Sequence, residues 1–202
     1  MILRRFYELN LRKGVFFVVF DFEHEIEKVL ISEEQIVKRT RELGEMISKD
    51  YYGKDLVLIG VLKGCFVFLS DLFRNISIHC TIDFMDVSSY ESASTVSSGI
   101  VRILKDLDDS IEDKHVLIVE DIVDTGTTLK YLLEFLKSRK PASIKTATLF
   151  NKPARRIIDI EAEYIGFDIP NEFIIGYGLD FNEKYRNLPY VGVLKKEFYS
   201  RE

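Results

Sequence analysis

Short β-branched runs and stretches of helical spacing follow one another along this chain. The first clear unit opens at Ser32-Glu33-Glu34-Gln35, a capping-box pattern with Ser32 as N-cap and Gln35 three residues on. Behind it Ile36, Thr40, Leu43 and Ile47 share one face, which predicts a helix ending near Asp50. Leu56–Leu62 is an unbroken apolar run and predicts a buried strand, with Lys63-Gly64 as its turn. Phe66–Phe73 has the apolar spacing of a helix, and Thr81–Val87 that of the next strand. Residues 88–98 are serine-rich with few apolar anchors and predict a mobile loop, after which Gly99–Leu104 returns as a strand. A strand beginning at His115 carries Val116 to Val119, and Leu129, Leu132, Leu133 and Leu136 predict the helix that follows. Ser143–Leu149 is another strand.

Strands alternating with helices predict an α/β fold with a central, mostly parallel sheet flanked by helices on both faces. Such sheets bind ligands at the C-terminal ends of their strands, here the turns after Leu62, Val119 and Phe150. Phe167–Pro189 is rich in Gly, Pro and aromatics and lacks a helical period, which predicts a small C-terminal hood with short strands. The expected organisation is an N-terminal extension over 1–24, then a single domain over 25–202 whose hood comes mainly from 164–190. The extension holds Arg4, Arg5, Arg12 and Lys13 and the apolar run Val15–Phe20, but Asp21, Glu23 and Glu25 follow where a signal peptide would place small residues. It suggests no function.

Composition narrows the classes. A chain of 202 residues that is 47% hydrophobic can bury a sizeable core in one domain. A net charge of −5 argues against a general nucleic-acid binder or a membrane-surface protein. Cys65 and Cys80 are too few and too dispersed for a disulfide framework or zinc site, so a reducing cytoplasm is expected. No stretch approaches the length of a transmembrane helix. His24, His79 and His115 show neither ligand spacing nor a catalytic triad.

The chemistry concentrates at His115–Leu129, which reads HVLIVEDIVDTGTTL. An apolar strand runs into Glu120 and Asp121, then Ile122, Val123 and Asp124, then Thr125-Gly126-Thr127-Thr128. A strand feeding a helix through such a turn gathers free backbone N–H groups and hydroxyls, which suits a phosphate. The neighbouring carboxylates suit sugar hydroxyls, a divalent cation or a proton to be moved. The segment has neither a Walker loop nor a dinucleotide fingerprint. An ordinary buried strand with an acidic turn accounts for the apolar run, but not for three carboxylates within five positions of a Thr-Gly-Thr-Thr turn.

This segment resembles the ribose-phosphate signature of the type I phosphoribosyltransferases. The resemblance implies that Glu120 and Asp121 hold the ribose hydroxyls of phosphoribosyl pyrophosphate, and that Thr125, Gly126, Thr127 and Thr128 bind its 5′-phosphate. Other segments are similar to the hypoxanthine–guanine branch of that family, over about Ile26 to Val193. In that branch the lysine at the place of Lys152 binds the 6-oxo group of the purine. The hood segment Gly166–Phe181 and Lys184–Pro189 implies that Phe173 stacks on the base and the backbone of Ile174 meets its edge. It also implies that Asp180, with Glu120 and Asp121, holds Mg²⁺, and that Arg186 contacts pyrophosphate together with the Lys63-Gly64 turn. The peptide bond at that lysine is often cis in the family. Ser89 and Tyr90 match a serine–tyrosine pair on a loop that closes over substrate. Asp124 is implied as the acid–base group near purine N7; adenine-specific relatives tend to carry a small apolar residue there.

The resemblance thus implies a type I phosphoribosyltransferase fold and a magnesium-dependent transferase joining a 6-oxopurine to phosphoribosyl pyrophosphate. It also implies a homo-oligomer, dimer or tetramer, with no nucleic-acid or membrane partner. Two other readings stay open on the residues: a regulator that only senses phosphoribosyl pyrophosphate, and an enzyme with altered base choice.

Overall fold

The structure, a computed structural model, describes residues 22–89 and 101–200. Its centre is a six-stranded sheet in the order β4-β3-β2-β5-β6-β7, formed by β2 (Leu56–Leu62), β3 (Cys80–Ser89), β4 (Val101–Lys105), β5 (His115–Val123), β6 (Ser143–Asn151) and β7 (Tyr164–Asp168). All neighbours run parallel except β4, which returns antiparallel along the outer edge of β3.

Alternation along the central strands builds the two faces. Leu56 and Leu58 of β2 and Leu117 and Val119 of β5 pack beneath α1 (Glu33–Asp50) and α2 (Phe66–Asn75). Val57, Ile59, Val116 and Ile118 turn the other way, toward Leu129, Leu132 and Leu136 of α3 (Thr127–Lys137). Val116 to Val119 are fully buried, so a strand with helices on both sides reads as an unbroken apolar run. Each such side chain contributes roughly 1.5–3 kcal/mol by leaving water. The capping box forms as expected: Gln35 N donates to Ser32 Oγ at 3.3 Å and Ser32 N to Gln35 Oε1 at 2.9 Å.

The hood is a separate antiparallel sheet in the order β1-β9-β8, where β1 is Ile26–Ile31, β8 is Ile174–Ile175 and β9 is Val191–Leu194. Two expectations need correction. Tyr164–Asp168, within the bounds 164–190 expected for the hood, is instead the edge strand of the main sheet, with Ala147 facing Tyr164 and Asn151 facing Asp168. The hood also draws its first strand from Ile26–Ile31, near the opposite end of the sequence. In addition, β3 continues through Ser88 and Ser89, opposite Arg102 and Val101, where a loop is expected. Tyr90, the remainder of the 88–98 loop and the apolar run Val15–Phe20 lie outside the described residues.

Candidate active site

The C-terminal ends of β2 and β5 and the hood loop meet at a cleft of about 430 Å³. Its walls include Lys63 and Gly64 after β2, Glu120, Asp121 and Asp124 at the end of β5, and Thr125, Gly126 and Thr128 in the following turn. Asp180 and Arg186 reach it from the hood. The expected phosphate, ribose and pyrophosphate groups therefore share one space, although they come from well-separated segments.

The turn after β5 is made by its backbone. Gly126 caps α3 with φ of +87°, a conformation open to glycine, and a Cβ there would come within 2.7 Å of Ile160 Cγ2. From behind, Thr125 O accepts from the N–H groups of Ile157 and Ile158 at 3.0 and 3.1 Å. Thr127 N donates to Thr125 Oγ1 at 3.4 Å, whereas the N–H groups that follow it in the first turn of α3 have no intrahelical acceptor and can meet an anion. The Thr127 side chain accepts from Thr125 Oγ1 at 3.2 Å and is not part of the cleft wall.

Opposite, the Leu62–Lys63 peptide bond is cis. A Cβ on Gly64 would overlap the Asp121 carboxylate, and a Cβ on Gly178, at φ of +97°, would overlap Gly64 O. This close packing brings the β2 turn, the β5 acids and the hood loop together.

Charge in the cleft is unevenly compensated. Burial raises the Glu120 carboxyl well above the usual carboxylate range, and the neighbouring Asp121 charge adds to it. Burial likewise pushes Asp121 up, to about 6, although Ile122 N donates to its Oδ1 at 2.8 Å and Arg186 partly offsets the shift. Side by side in the cleft, these two acids could hold a cation or accept from hydroxyl donors. Asp180 is already engaged: its Oδ1 lies 2.8 Å from Arg186 Nη2 and its Oδ2 accepts from Glu183 N at 2.9 Å. Arg186 Nη1 donates to Gly178 O at 2.8 Å, while its buried Nε has no hydrogen-bond partner among the described residues.

The groups expected to meet the base lie beside this cleft rather than in its wall. Lys152 is buried, and its Nζ donates at 2.8 Å to the carbonyl of Glu172, the residue before Phe173. Burial lowers its pKa, with the Asp124 charge acting against that shift. Ile174 is buried in β8, and Phe173 is 37% exposed. Ser89 ends β3.

Three residues escaped the sequence reading. Arg155 Nε is 3.2 Å from Asp124 Oδ1, and Arg156 Nη1 donates to Asp124 O at 2.7 Å. Glu183 Oε1 and Oε2 lie 3.1 and 3.3 Å from Lys63 Nζ and Arg186 Nη2, so one exposed carboxylate bridges both expected pyrophosphate cations. The Arg155-Arg156 doublet just after Lys152 was the available signal for the first two; Glu183 had none beyond standing between Asp180 and Arg186.

The donor set is compatible with Mg²⁺ of one particular kind. Among the described residues no three acidic, histidine or cysteine side chains gather tightly enough to hold a metal by themselves. Mg²⁺ commonly keeps several waters and binds through one or two carboxylates plus substrate phosphates, so the Glu120–Asp121 pair beside the 125–128 turn could hold it only together with such a substrate.

The chain is similar to known proteins over most of its length. The family model described as "Phosphoribosyl transferase domain" matches residues 30–182. A hypoxanthine-guanine phosphoribosyltransferase from Streptococcus agalactiae is 56% identical over 179 residues, covering 89% of this chain and 99% of the relative. One of the same name from Streptococcus thermophilus is 55% identical with the same coverage. The crystal structure of a hypoxanthine phosphoribosyltransferase from Staphylococcus aureus superposes with a TM-score of 0.88 at 53% identity, covering 92% of this chain and 100% of that one.

Proposed function

We infer the function from one premise: the chain belongs to the phosphoribosyl transferase family. It is a purine-salvage transferase that moves the 5-phosphoribosyl group of phosphoribosyl pyrophosphate to hypoxanthine or guanine, giving IMP or GMP and pyrophosphate. The residue roles below are our proposal. The observation that carries them is the shared cleft of Glu120, Asp121, Asp124, Thr125, Gly126 and Thr128 with Lys63, Gly64, Asp180 and Arg186.

In this reading Thr125, Gly126, Thr127 and Thr128 hold the 5′-phosphate through backbone N–H groups and hydroxyls. Glu120 and Asp121 accept from the ribose hydroxyls. Gly64 and Lys63 present backbone and ammonium to the pyrophosphate, and Arg186 stabilises the charge that grows on it as the bond to the anomeric carbon breaks. Mg²⁺, held by Glu120, Asp121 and Asp180 together with substrate and water, would neutralise part of that charge. Purine N9 forms the new bond from the opposite face. Asp124 accepts the proton, or a hydrogen bond, near N7, with Arg155 orienting its carboxylate. Lys152 donates to the 6-oxo oxygen; a 6-amino group would set donor against donor. Phe173 stacks on the ring and the Ile174 backbone reads its edge. Ser89 and Tyr90 belong to the segment that excludes water during closure.

The exposed Phe66 and Phe73 of α2 support assembly as a homo-oligomer, dimer or tetramer. No described helix is long and apolar enough to cross a membrane, and Cys65 and Cys80 are free thiols, which supports placement in the cytoplasm. A panel of hypoxanthine, guanine, xanthine and adenine, assayed with Mg²⁺ and phosphoribosyl pyrophosphate, tests the whole. Turnover of the first two and little of adenine is expected; adenine as the preferred base would refute the roles given to Lys152 and Asp124.

A further inference from the structure

Phe173 makes an aromatic contact that the reaction as described leaves unused. Tyr199, the last residue of α4 (Lys196–Tyr199), stacks on it with centroids 4.5 Å apart and planes within 15°. Phe181 meets the same ring edge-on at 5.6 Å and 89°. Among the described aromatic pairs, Phe173–Tyr199 has the shortest centroid separation. Apart from this contact, Tyr199 packs with the hood's own core, Ile175, Tyr185, Leu188 and Leu194, and lines a cavity with Phe181 and Phe198. None of those residues forms the wall of the carboxylate cleft. Tyr199 thus belongs to the hood's own packing rather than to the carboxylate cleft, and Phe173 keeps 37% exposure beside it.

The backbone ties the two rings together. Leu194 N donates to Phe173 O at 3.0 Å, and Lys195 N donates to Glu25 O at 3.0 Å, so β9 runs straight from the carbonyl of Phe173 into α4.

We propose that Tyr199 is a positioning residue for base recognition: it backs the Phe173 ring and holds it at the angle at which the other face receives a purine. The inference rests on the reading of Phe173 as the base-stacking residue. A phenylalanine this exposed would otherwise sample several rotamers and lose that freedom when a base binds. Stacked against Tyr199 and braced by Phe181, it has lost that freedom before the base arrives, so preorganisation favours purine affinity without touching the ribose-phosphate half. Only the ring face is needed, which separates this role from one played by the tyrosine hydroxyl.

The test compares Tyr199→Leu, Tyr199→Phe and Phe173→Leu in the full chain, measuring KM for hypoxanthine and for phosphoribosyl pyrophosphate, kcat, and Tm. Tyr199→Leu is expected to raise the hypoxanthine KM about two- to tenfold, the worth of one aromatic pair, leaving the other KM and kcat near the parent values. Tyr199→Phe should restore the parent KM. Combining Tyr199→Leu with Phe173→Leu should add little to Phe173→Leu alone, because the tyrosine acts through that ring. If Phe173→Leu leaves the hypoxanthine KM unchanged, the stacking assignment itself falls, and the inference with it. If Phe173→Leu raises that KM and Tyr199→Leu does not, the assignment stands and the role of Tyr199 is refuted. A lower hypoxanthine KM in Tyr199→Leu would mean that the tyrosine covers the base face, which also refutes it. So would equal losses for both substrates with a lowered Tm.

Discussion

Replacing Asp121 with Asn should stabilise the metal-free protein, and by more as the pH rises. The folded-state carboxyl is pushed from 3.8 to about 6, chiefly by burial. A carboxyl raised on folding binds its proton more tightly in the native than in the unfolded chain. Its contribution is therefore complete below the unfolded value of 3.8 and is lost as the pH climbs through about 6. At about 1.4 kcal/mol per pKa unit, the ceiling on that loss is about 3 kcal/mol. Asparagine removes the ionisation yet keeps an oxygen to accept from Ile122 N, now bonded at 2.8 Å. Glu120 acts in the same direction, since the Asp121 charge is one cause of its own raised value. In a chain of this size each kcal/mol moves Tm by about 2–4 °C. Thermal unfolding of chelator-treated protein should show the variant several degrees above the parent at pH 8, with a smaller gap at pH 5. With Mg²⁺ and phosphoribosyl pyrophosphate the order should reverse, because the variant has lost a carboxylate that the substrate complex uses. A variant no more stable than the parent at pH 8, or a gap independent of pH, would refute the reasoning.

Asp124→Asn should lower kcat by about 10²–10⁴ while leaving the affinity for phosphoribosyl pyrophosphate near that of the parent; pre-steady-state turnover and direct binding measure the two, and an unchanged kcat would remove its acid–base role. Lys152→Ala should raise the hypoxanthine KM and narrow the preference for hypoxanthine over adenine, read as the ratio of the two kcat/KM values. An unaltered ratio would count against the lysine as the reader of the 6-oxo group.

Legibility in the sequence followed burial. β2 and β5 are covered on both faces, so their apolar runs announce them; Ser32-Gln35 announces α1 because capping is local chemistry. β7 was misallotted because it is an edge strand, only partly buried except at Tyr164, and followed by hood loops rather than a helix. The membership of β1 in the hood could not be read, because its partner β9 is far away in the chain and strand pairing leaves no local mark. In the cleft, Glu120, Asp121, Asp124 and the turn that follows were legible as a contiguous motif. Glu183 was not: its bridge to Lys63 spans a sequence separation of 120 and depends on where the hood loop comes to rest. Arg155 leaves no such mark for a different reason, since an arginine three residues after Lys152 and beside Arg156 reads as surface charge until the chain turns it back onto Asp124.

The β1–β9 pairing divides the enzyme in time as well as in space. During synthesis the residues proposed to hold ribose and phosphate have all emerged before β6 ends, whereas β1 waits with an open edge until β9 arrives almost at the end. The hood, with the roles proposed for Phe173, Ile174 and Arg186, is thus the last part of the chain to be assembled. A product cut short before Val191 keeps every residue of the ribose-phosphate turn yet lacks the strand on which both β1 and β8 are hung. Such a fragment keeps the groups proposed to hold ribose and phosphate, while β8, which carries Ile174, has lost its partner strand.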